Sequence, residues 1–461
     1  MKQRPNIILI NCDDLGYGDL GCYGSTKNQS PHIDALARGG LRLTDFYMAS
    51  PVCSASRAAM LTGCYPPRVG FGERPVLFPG NAIGLNSQEK TIAAYLQDVG
   101  YHTKLVGKWH CGDQPEFLPT KHGFDDYFGL PYSNDMGRQS NNLENPPLPL
   151  LRNDQVHQQQ PDQRGLTERY TDECLQFIQA NKDAPFFLYL AHMYVHVPLF
   201  VPKQFLDGSE NGAYGGAIAC IDWSTGVLVD CLKRLGLFEN TLIIFTSDNG
   251  SRAREEGGSN TPCRGQKGTT WEGGQRVPAI LHWPKGIQPG RQSSAVTSAI
   301  DLLPTLCGIA GADLQADRKI DGIDLAPLIE GDSDFIGRET FFYFAGNGLN
   351  AVRKGDWKLH LNQGGCHGQA PGIPVQELYN LKADVGETTN CTATHPGIVA
   401  DLEAELQRMR GELGDRNRGR AGSENRPIGR VENPQTLTEY DASHPYMVAM
   451  YDLPDMPTMC G

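Results

Sequence analysis

The segment Asn6-Ile7-Ile8-Leu9-Ile10 is apolar at every position after the first and runs directly into Asn11-Cys12-Asp13-Asp14. A strand with one wet face alternates apolar and polar residues, whereas a continuously apolar strand is covered on both faces, as in a parallel sheet sandwiched by helices. The same grammar returns at Thr241-Leu242-Ile243-Ile244-Phe245-Thr246-Ser247, followed by Asp248-Asn249-Gly250, and more weakly at Pro185 to Ala191, followed by His192 and His196. Helical patterns lie between these runs, at Gln88 to Val99, Tyr170 to Ala180 and Gly215 to Leu235. Strand and helix alternation of this kind predicts an α/β fold built on a large central, mostly parallel mixed sheet flanked by helices. In such sheets the ligand crevice lies outside the carboxyl ends of the strands, so the polar strand ends are expected to converge on one site.

From about Arg338 the texture changes. Thr340 to Phe344, Ala351 to Arg353 and Trp357 to Leu361 read as a meander of short strands, and Ile398 to Leu413 as an amphipathic helix. With 461 residues the chain exceeds what one core spans. We therefore divide it into a catalytic α/β part, 1–337, and a C-terminal subdomain, 338–461, made of a small antiparallel sheet, a helix and a wrapping or partly disordered tail from Gly414. The net charge of -12 argues against a nucleic-acid partner, which needs a basic stripe. No run of apolar residues predicts a membrane span, and Ile7 to Ile10 is too short for a signal h-region. The chain as written is thus expected in the cytoplasm, or in the periplasm or outside the cell if its N-terminus has been trimmed. The 13 cysteines form no C-x-x-C pair, so neither a zinc site nor a disulfide framework is expected; most read as small core residues.

Several short patterns carry chemistry. Asp13, Asp14, Asp248 and Asn249 offer hard oxygen ligands from two strand ends, a set suited to one Ca2+, with Mg2+ the less favoured choice, and poorly suited to zinc. Cys53 and Arg57 stand four apart at a helix start, where unsatisfied N–H groups favour an anion. Lys108 and His110, two apart, lie on one side of an extended chain. His196, before Val197-Pro198, has the pKa range of a general acid near neutrality, while His192 reads better as a packing residue. Lys267 sits in the glycine-rich Gly265-Gln266-Lys267-Gly268-Thr269-Thr270-Trp271-Glu272-Gly273-Gly274, whose backbone can approach a ligand closely. Arg252, Arg254 and Arg264 flank it, either as a polyanion subsite or as solvated loop charges.

The stretch Ser50-Pro51-Val52-Cys53-Ser54-Ala55-Ser56-Arg57, continuing to Leu61-Thr62-Gly63, resembles the signature C-x-[PA]-x-R…L-T-G of the formylglycine-dependent sulfatases, in the alkaline phosphatase superfamily. The strand-end aspartates, Gly107-Lys108-Trp109-His110, His196-Val197-Pro198, the Lys267 loop and Leu378-Tyr379-Asn380-Leu381 are similar to further elements of that family, on the arylsulfatase A and N-acetylgalactosamine-6-sulfatase branch. The resemblance implies that Cys53 is converted to Cα-formylglycine and that Asp13, Asp14, Asp248, Asn249 and residue 53 hold the cation. It also implies that Arg57 holds the aldehyde hydrate, Lys108 and Lys267 bind sulfate, His110 acts as base and His196 protonates the leaving oxygen. Ala55 in place of the commoner proline resembles substrates of the radical-type maturase, a partner in biosynthesis. A sulfated oligosaccharide or small molecule is the expected substrate, with aryl sulfates as test compounds. Two other readings are a phosphodiester or phosphonate monoester hydrolase of the same superfamily, and a calcium-bound carbohydrate-binding protein without turnover.

Overall fold

The computed structural model describes residues 4–139, 142–362 and 373–444. Ten strands form the central sheet: β1 (Asn6–Cys12), β2 (Leu41–Leu43), β3 (His102–Gly107), β4 (Asp126–Gly129), β5 (Pro149–Arg152), β6 (Gln155–Gln159), β7 (Phe186–Ala191), β8 (Thr241–Ser247), β9 (Ala279–His282) and β10 (Arg291–Ser293). They lie in the order β10-β2-β9-β8-β1-β7-β3-β4-β5-β6. The middle of the sheet, β8-β1-β7-β3-β4, is parallel, and β9, β5 and β6 run antiparallel to their neighbours.

All seven residues of β1 are buried, as its unbroken apolar run requires. Ile7 and Leu9 enter one core, Ile8 and Ile10 the other. The first core is closed by helices α2 (Cys53–Thr62), α3 (Ile92–Asp98) and α6 (Leu302–Ala310). The second is closed by α1 (Pro31–Gly39), α4 (Leu166–Ala180) and α5 (Gly212–Arg234). By length and apolar composition alone α5 is able to cross a bilayer. Its Ala217, Ile218, Ile221, Leu228 and Leu232 are instead buried in this core, which accounts for that composition. Three helices start elsewhere than the periodicity suggests, α5 at Gly212 and not Gly215. Thr91 accepts a bond from Ala94 N and caps α3, so Gln88 lies outside it, and α4 begins at Leu166, four residues before Tyr170.

A second sheet, β11 (Thr340–Ala345), β12 (Gly348–Lys354), β13 (Trp357–Asn362) and β14 (Pro374–Asn380), is antiparallel throughout and carries α7 (Pro396–Leu413) on one face. Its apolar core also takes in Tyr47, Ala59 and Tyr65 from the segments around α2. Beyond α7 the chain wraps over the first part: Arg426 N donates to Arg68 O (2.7 Å), Val431 N to Ala82 O (2.9 Å) and Gln435 N to Gln114 Oε1 (2.9 Å). Residues 445–461 of the expected tail lie outside the described residues. The eleven described cysteines are all unpaired thiols and eight are buried, in keeping with a packing role.

His122 is packed against Trp109, with ring centroids 5.7 Å apart, and neither ring nitrogen finds a hydrogen bond among the described residues. Burial holds its pKa down to about 4. The unfolded chain therefore takes up a proton below about 6.5 that the folded one refuses, so stability is lost as pH falls from about 6.5 towards 4, by about 1.4 kcal/mol per unit for such a group. Denaturant midpoints at pH 7 and pH 4.5 should differ less in His122→Phe than in the wild type. An identical difference would show that His122 is protonated in the fold.

Candidate active site

Parallel pairing puts the ends of β1 and β8 side by side, with Cys12 opposite Ser247, so the residues that follow emerge together. Asp13, Asp14, Asp248 and Asn249 are all buried there. Asp14 adopts φ +61°, a left-handed conformation that turns the chain and keeps two successive carboxylates in the site. Asp14 Oδ1 accepts from Asn249 Nδ2 at 2.7 Å, while Asn249 Oδ1 is buried and without a partner among the described residues.

Cys53 is the first residue of α2, and its Sγ lies 3.4 Å from Asp13 Oδ1. Gly63, at φ +67° with Leu303 against it, ends the helix; this is the structural reason for the glycine of Leu61-Thr62-Gly63. Arg57, one turn into α2 and wholly buried, grips Asp248 Oδ2 through Nε (2.9 Å) and Nη2 (2.8 Å) and donates to Lys108 O (2.9 Å). It thereby ties the helix to the ends of β8 and β3. Its hydrogen bonds run to this frame and not to residue 53, the partner expected from the sequence.

Lys108 Nζ contacts Asp13 Oδ2 and lies 3.2 Å from Ser133 Oγ. His110 departs from the extended geometry read from the sequence. Strand β3 ends at Gly107, at φ +110°, where a Cβ would meet Ala191 O at 1.8 Å, and His110 itself is at φ +62°. The alternation argument therefore fails, and a turn brings Lys108 and His110 into the same buried region. His110 Nε2 lies 2.9 Å from Leu77 O; a carbonyl only accepts, so this nitrogen carries the proton and the buried Nδ1, without a partner among the described residues, is a free base. Burial first, then Lys108, push its pKa well below the usual histidine range.

His196 completes the ring. Its Nδ1 bonds Val197 O at 2.5 Å and approaches Ser133 Oγ at 3.5 Å, leaving Nε2 3.8 Å from Asp14 Oδ2. Lys267 Nζ donates to Asp14 Oδ2 at 3.0 Å. Ligand atoms of Asp13, Asp14, Cys53 and His196 all fall within 4.8 Å of one another. Burial raises the Asp13 carboxyl, but Lys108, His196 and Arg57 together hold it well below the ordinary carboxylate range. Burial and the neighbouring Asp13 push the Cys53 thiol far up, so it is a neutral, unreactive thiol. Oxygen donors dominate the set, and the orphaned Asn249 Oδ1 beside three carboxylates fits a hard divalent cation.

All the site residues expected from the sequence meet here. His192 does not take part: it is buried, with no partner for either ring nitrogen among the described residues, and burial lowers its pKa to about 3. The three flanking arginines stand in different surroundings. Arg264 stacks 3.7 Å over Trp271 and donates to Glu387 O, Arg254 is exposed, and Arg252 is half-buried. Ser133, which joins Lys108 to His196, and Leu77, whose carbonyl orients His110, escaped sequence reasoning because a lone serine in a loop and a backbone carbonyl leave no pattern.

A family model described as sulfatase matches residues 5–312, and one described as N-sulphoglucosamine sulphohydrolase, C-terminal, matches residues 266–412. The chain is 39% identical to arylsulfatase A of Homo sapiens over 446 residues, covering 89% of this chain and 87% of that protein. It is 40% identical to N-acetylgalactosamine-6-sulfatase of Rattus norvegicus over 380 residues, covering 78% and 72%. The crystal structure of Ps i-CgsB in complex with k-i-k-neocarrahexaose superposes with a TM-score of 0.78 at 29% identity, covering 91% of this chain and 95% of that one. A buried, cation-lined group of carboxylates and a cysteine at the first position of a helix, on this sheet and with these relatives, place the chain in the sulfatase family, as a sulfuric ester hydrolase.

Proposed function

We propose that the chain hydrolyses sulfate monoesters of carbohydrates with a nucleophile made from Cys53. The observation that carries this reading is the position of Cys53: first residue of α2, buried, 3.4 Å from Asp13, within 4.8 Å of a His196 nitrogen and close to the charges of Lys108 and Lys267. A buried neutral thiol cannot turn over sulfate, whereas a formylglycine hydrate at this position supplies two hydroxyls, one to attack sulfur and one to expel sulfate. Ser54-Ala55-Ser56-Arg57 follows Cys53, the pattern of a radical-type maturase substrate. The saccharide substrate is favoured by the names of the relatives, a hexosamine sulfatase and a structure holding a neocarrahexaose.

The chain's own residues then divide the work. Lys108 and Lys267, whose ammonium groups reach into the carboxylate cluster from two sides, take the sulfate oxygens and balance the charge that builds on them in the transition state. Burial and Lys267 hold the His196 pKa below the usual histidine range, against the pull of Asp14 and Asp13; in its doubly protonated form, with Nδ1 bonded to Val197 O, the ring delivers a proton from Nε2 to the leaving oxygen. His110, its tautomer set by Leu77 O, receives a proton at Nδ1 in the second step. Arg57 and Ser56 Oγ, both bonded to Asp248, hold the frame. Asp13, Asp14, Asp248, Asn249 and residue 53 would hold one Ca2+, which supplies Lewis-acid polarisation of the sulfate when bound.

Cys53→Ala should lower kcat/KM for an aryl sulfate by about three orders of magnitude or more while leaving the melting temperature unchanged. Mass spectrometry of the wild-type peptide ending at Arg57 should show an aldehyde in place of the thiol. Turnover by the alanine variant would refute the nucleophile, and faster cleavage of phosphate diesters or phosphonates than of sulfates would refute the substrate class.

Protein freed of divalent ions with a chelator should melt lower and recover on adding Ca2+. At a concentration of about 100 times Kd the gain is about 2.7 kcal/mol. Asp13→Asn should abolish that recovery. Melting that ignores Ca2+ in the wild type would overturn the cation assignment.

A further inference from the structure

A second group of buried charges lies outside the site, where the C-terminal sheet meets the loop that carries Lys267. Lys358 of β13 is fully buried, and its Nζ donates to Thr270 O (2.8 Å) while facing Glu272 Oε1 (3.0 Å) and Glu387 Oε1 (2.8 Å). His360, two residues on along the same strand, meets Thr270 Oγ1 through Nε2 at 2.9 Å and packs edge-on against Trp271 with ring centroids 4.1 Å apart. Glu387, in the segment after β14, accepts from Glu272 N at 2.8 Å. Glu272 is further held by Tyr47, Tyr343 and Arg276. Thr270 and Glu272 are therefore pinned through backbone and side chain by three residues that are not in the active site.

The pinned residues lie three and five positions from Lys267, and the intervening chain has little freedom. Gln266 and Thr269 close a turn on each other, with Thr269 N to Gln266 O at 3.0 Å and Gln266 N to Thr269 Oγ1 at 3.2 Å. On the far side Lys267 N donates to Ser251 O and Gly268 N to Pro51 O, both at 2.9 Å, the latter two residues before Cys53. A lysine has a long, flexible stem, so its ammonium is placed accurately only if its backbone is. Four glycines between residues 265 and 274 would otherwise leave this loop free to move.

We propose that Lys358 and His360 of β13, together with Glu387, are positioning residues for Lys267: the C-terminal sheet sets where the sulfate-binding ammonium stands. This rests on the role given to Lys267 above and extends it to residues that touch neither substrate nor cation. Loss of either strand residue removes one of the bonds that hold Thr270, whose Oγ1 also accepts from Asn350 Nδ2 at 3.2 Å, and the loosening is expected to reach the site through Lys267.

The test is a double-mutant cycle on the full-length, matured protein, read as kcat/KM for 4-nitrophenyl sulfate and as the dissociation constant for inorganic sulfate. Lys358→Met and His360→Phe should each lower kcat/KM about tenfold or more and weaken sulfate binding. In a Lys267→Ala background the same substitutions should change either quantity less than about twofold. His360→Phe keeps an aromatic ring against Trp271 and carries the cycle alone if Lys358→Met fails to fold; sulfate binding remains readable if Lys267→Ala is too slow to assay. Equal losses in both backgrounds would overturn the proposal while leaving the sulfatase reading intact. Absence of sulfate-ester turnover in matured wild-type protein would instead overturn the reading on which it rests.

Discussion

Two adjacent parallel strands stand about 4.8 Å apart, so the residues that follow β1 and β8 have no choice but to share a small volume. Three of them are carboxylates shielded from water: Asp13, Asp14 and Asp248. Withdrawing even one such charge from solvent costs several kcal/mol, and three together are tolerable only beside compensating charge. Arg57, Lys108 and Lys267 provide it, one each from a helix, a strand end and a loop. Much of the local architecture follows from bringing these three cations in. Helix α2 must begin at Cys53 for Arg57 to reach Asp248 one turn later. Strand β3 must stop at a glycine that can lie against Ala191 O, so that Lys108 follows directly. Lys108 and Lys267 are consequently shared between two sets of anions, the strand-end carboxylates and the sulfate oxygens of the proposed substrate.

What could be read in the sequence was what depends on local chemistry. Buried strands announce themselves as unbroken apolar runs because both faces meet a core, and β1 divides Ile7 and Leu9 from Ile8 and Ile10 as such a strand must. Charged residues placed at the ends of those strands are legible for the same reason: the strand fixes where they go. The errors arose where a backbone turn decides. Alternation puts Lys108 and His110 on one side of an extended chain, but positive φ at Gly107 and His110 replaces strand geometry there. Periodicity starts α3 at Gln88, whereas Thr91 supplies the cap. Ser133 and Leu77 were invisible, since one contributes a hydroxyl from a loop without pattern and the other only its carbonyl.

The Lys267 loop shows why a second domain-like sheet belongs to the active-site problem. Lys108 leaves directly from a central strand and inherits its rigidity, whereas Lys267 leaves from a glycine-rich segment between β8 and β9 with no strand to hold it. Apolar packing alone would be a poor substitute, because dispersion contacts are non-directional and a loop can slide across them. Hydrogen bonds to a buried ammonium and two carboxylates are directional, and in a low-dielectric setting each unpaired group is costly enough to forbid slippage. Glu272 is the hinge of that arrangement: its carboxylate takes Lys358, Tyr343, Tyr47 and Arg276, and its backbone N–H takes Glu387. The glutamate in Trp271-Glu272-Gly273-Gly274 thus belongs structurally to the C-terminal sheet, although it lies five residues from the lysine it serves. Two separate sets of buried charges, one at the strand ends and one at the sheet junction, are joined through the residues from 267 to 272, and the position of the sulfate-facing ammonium is set by both.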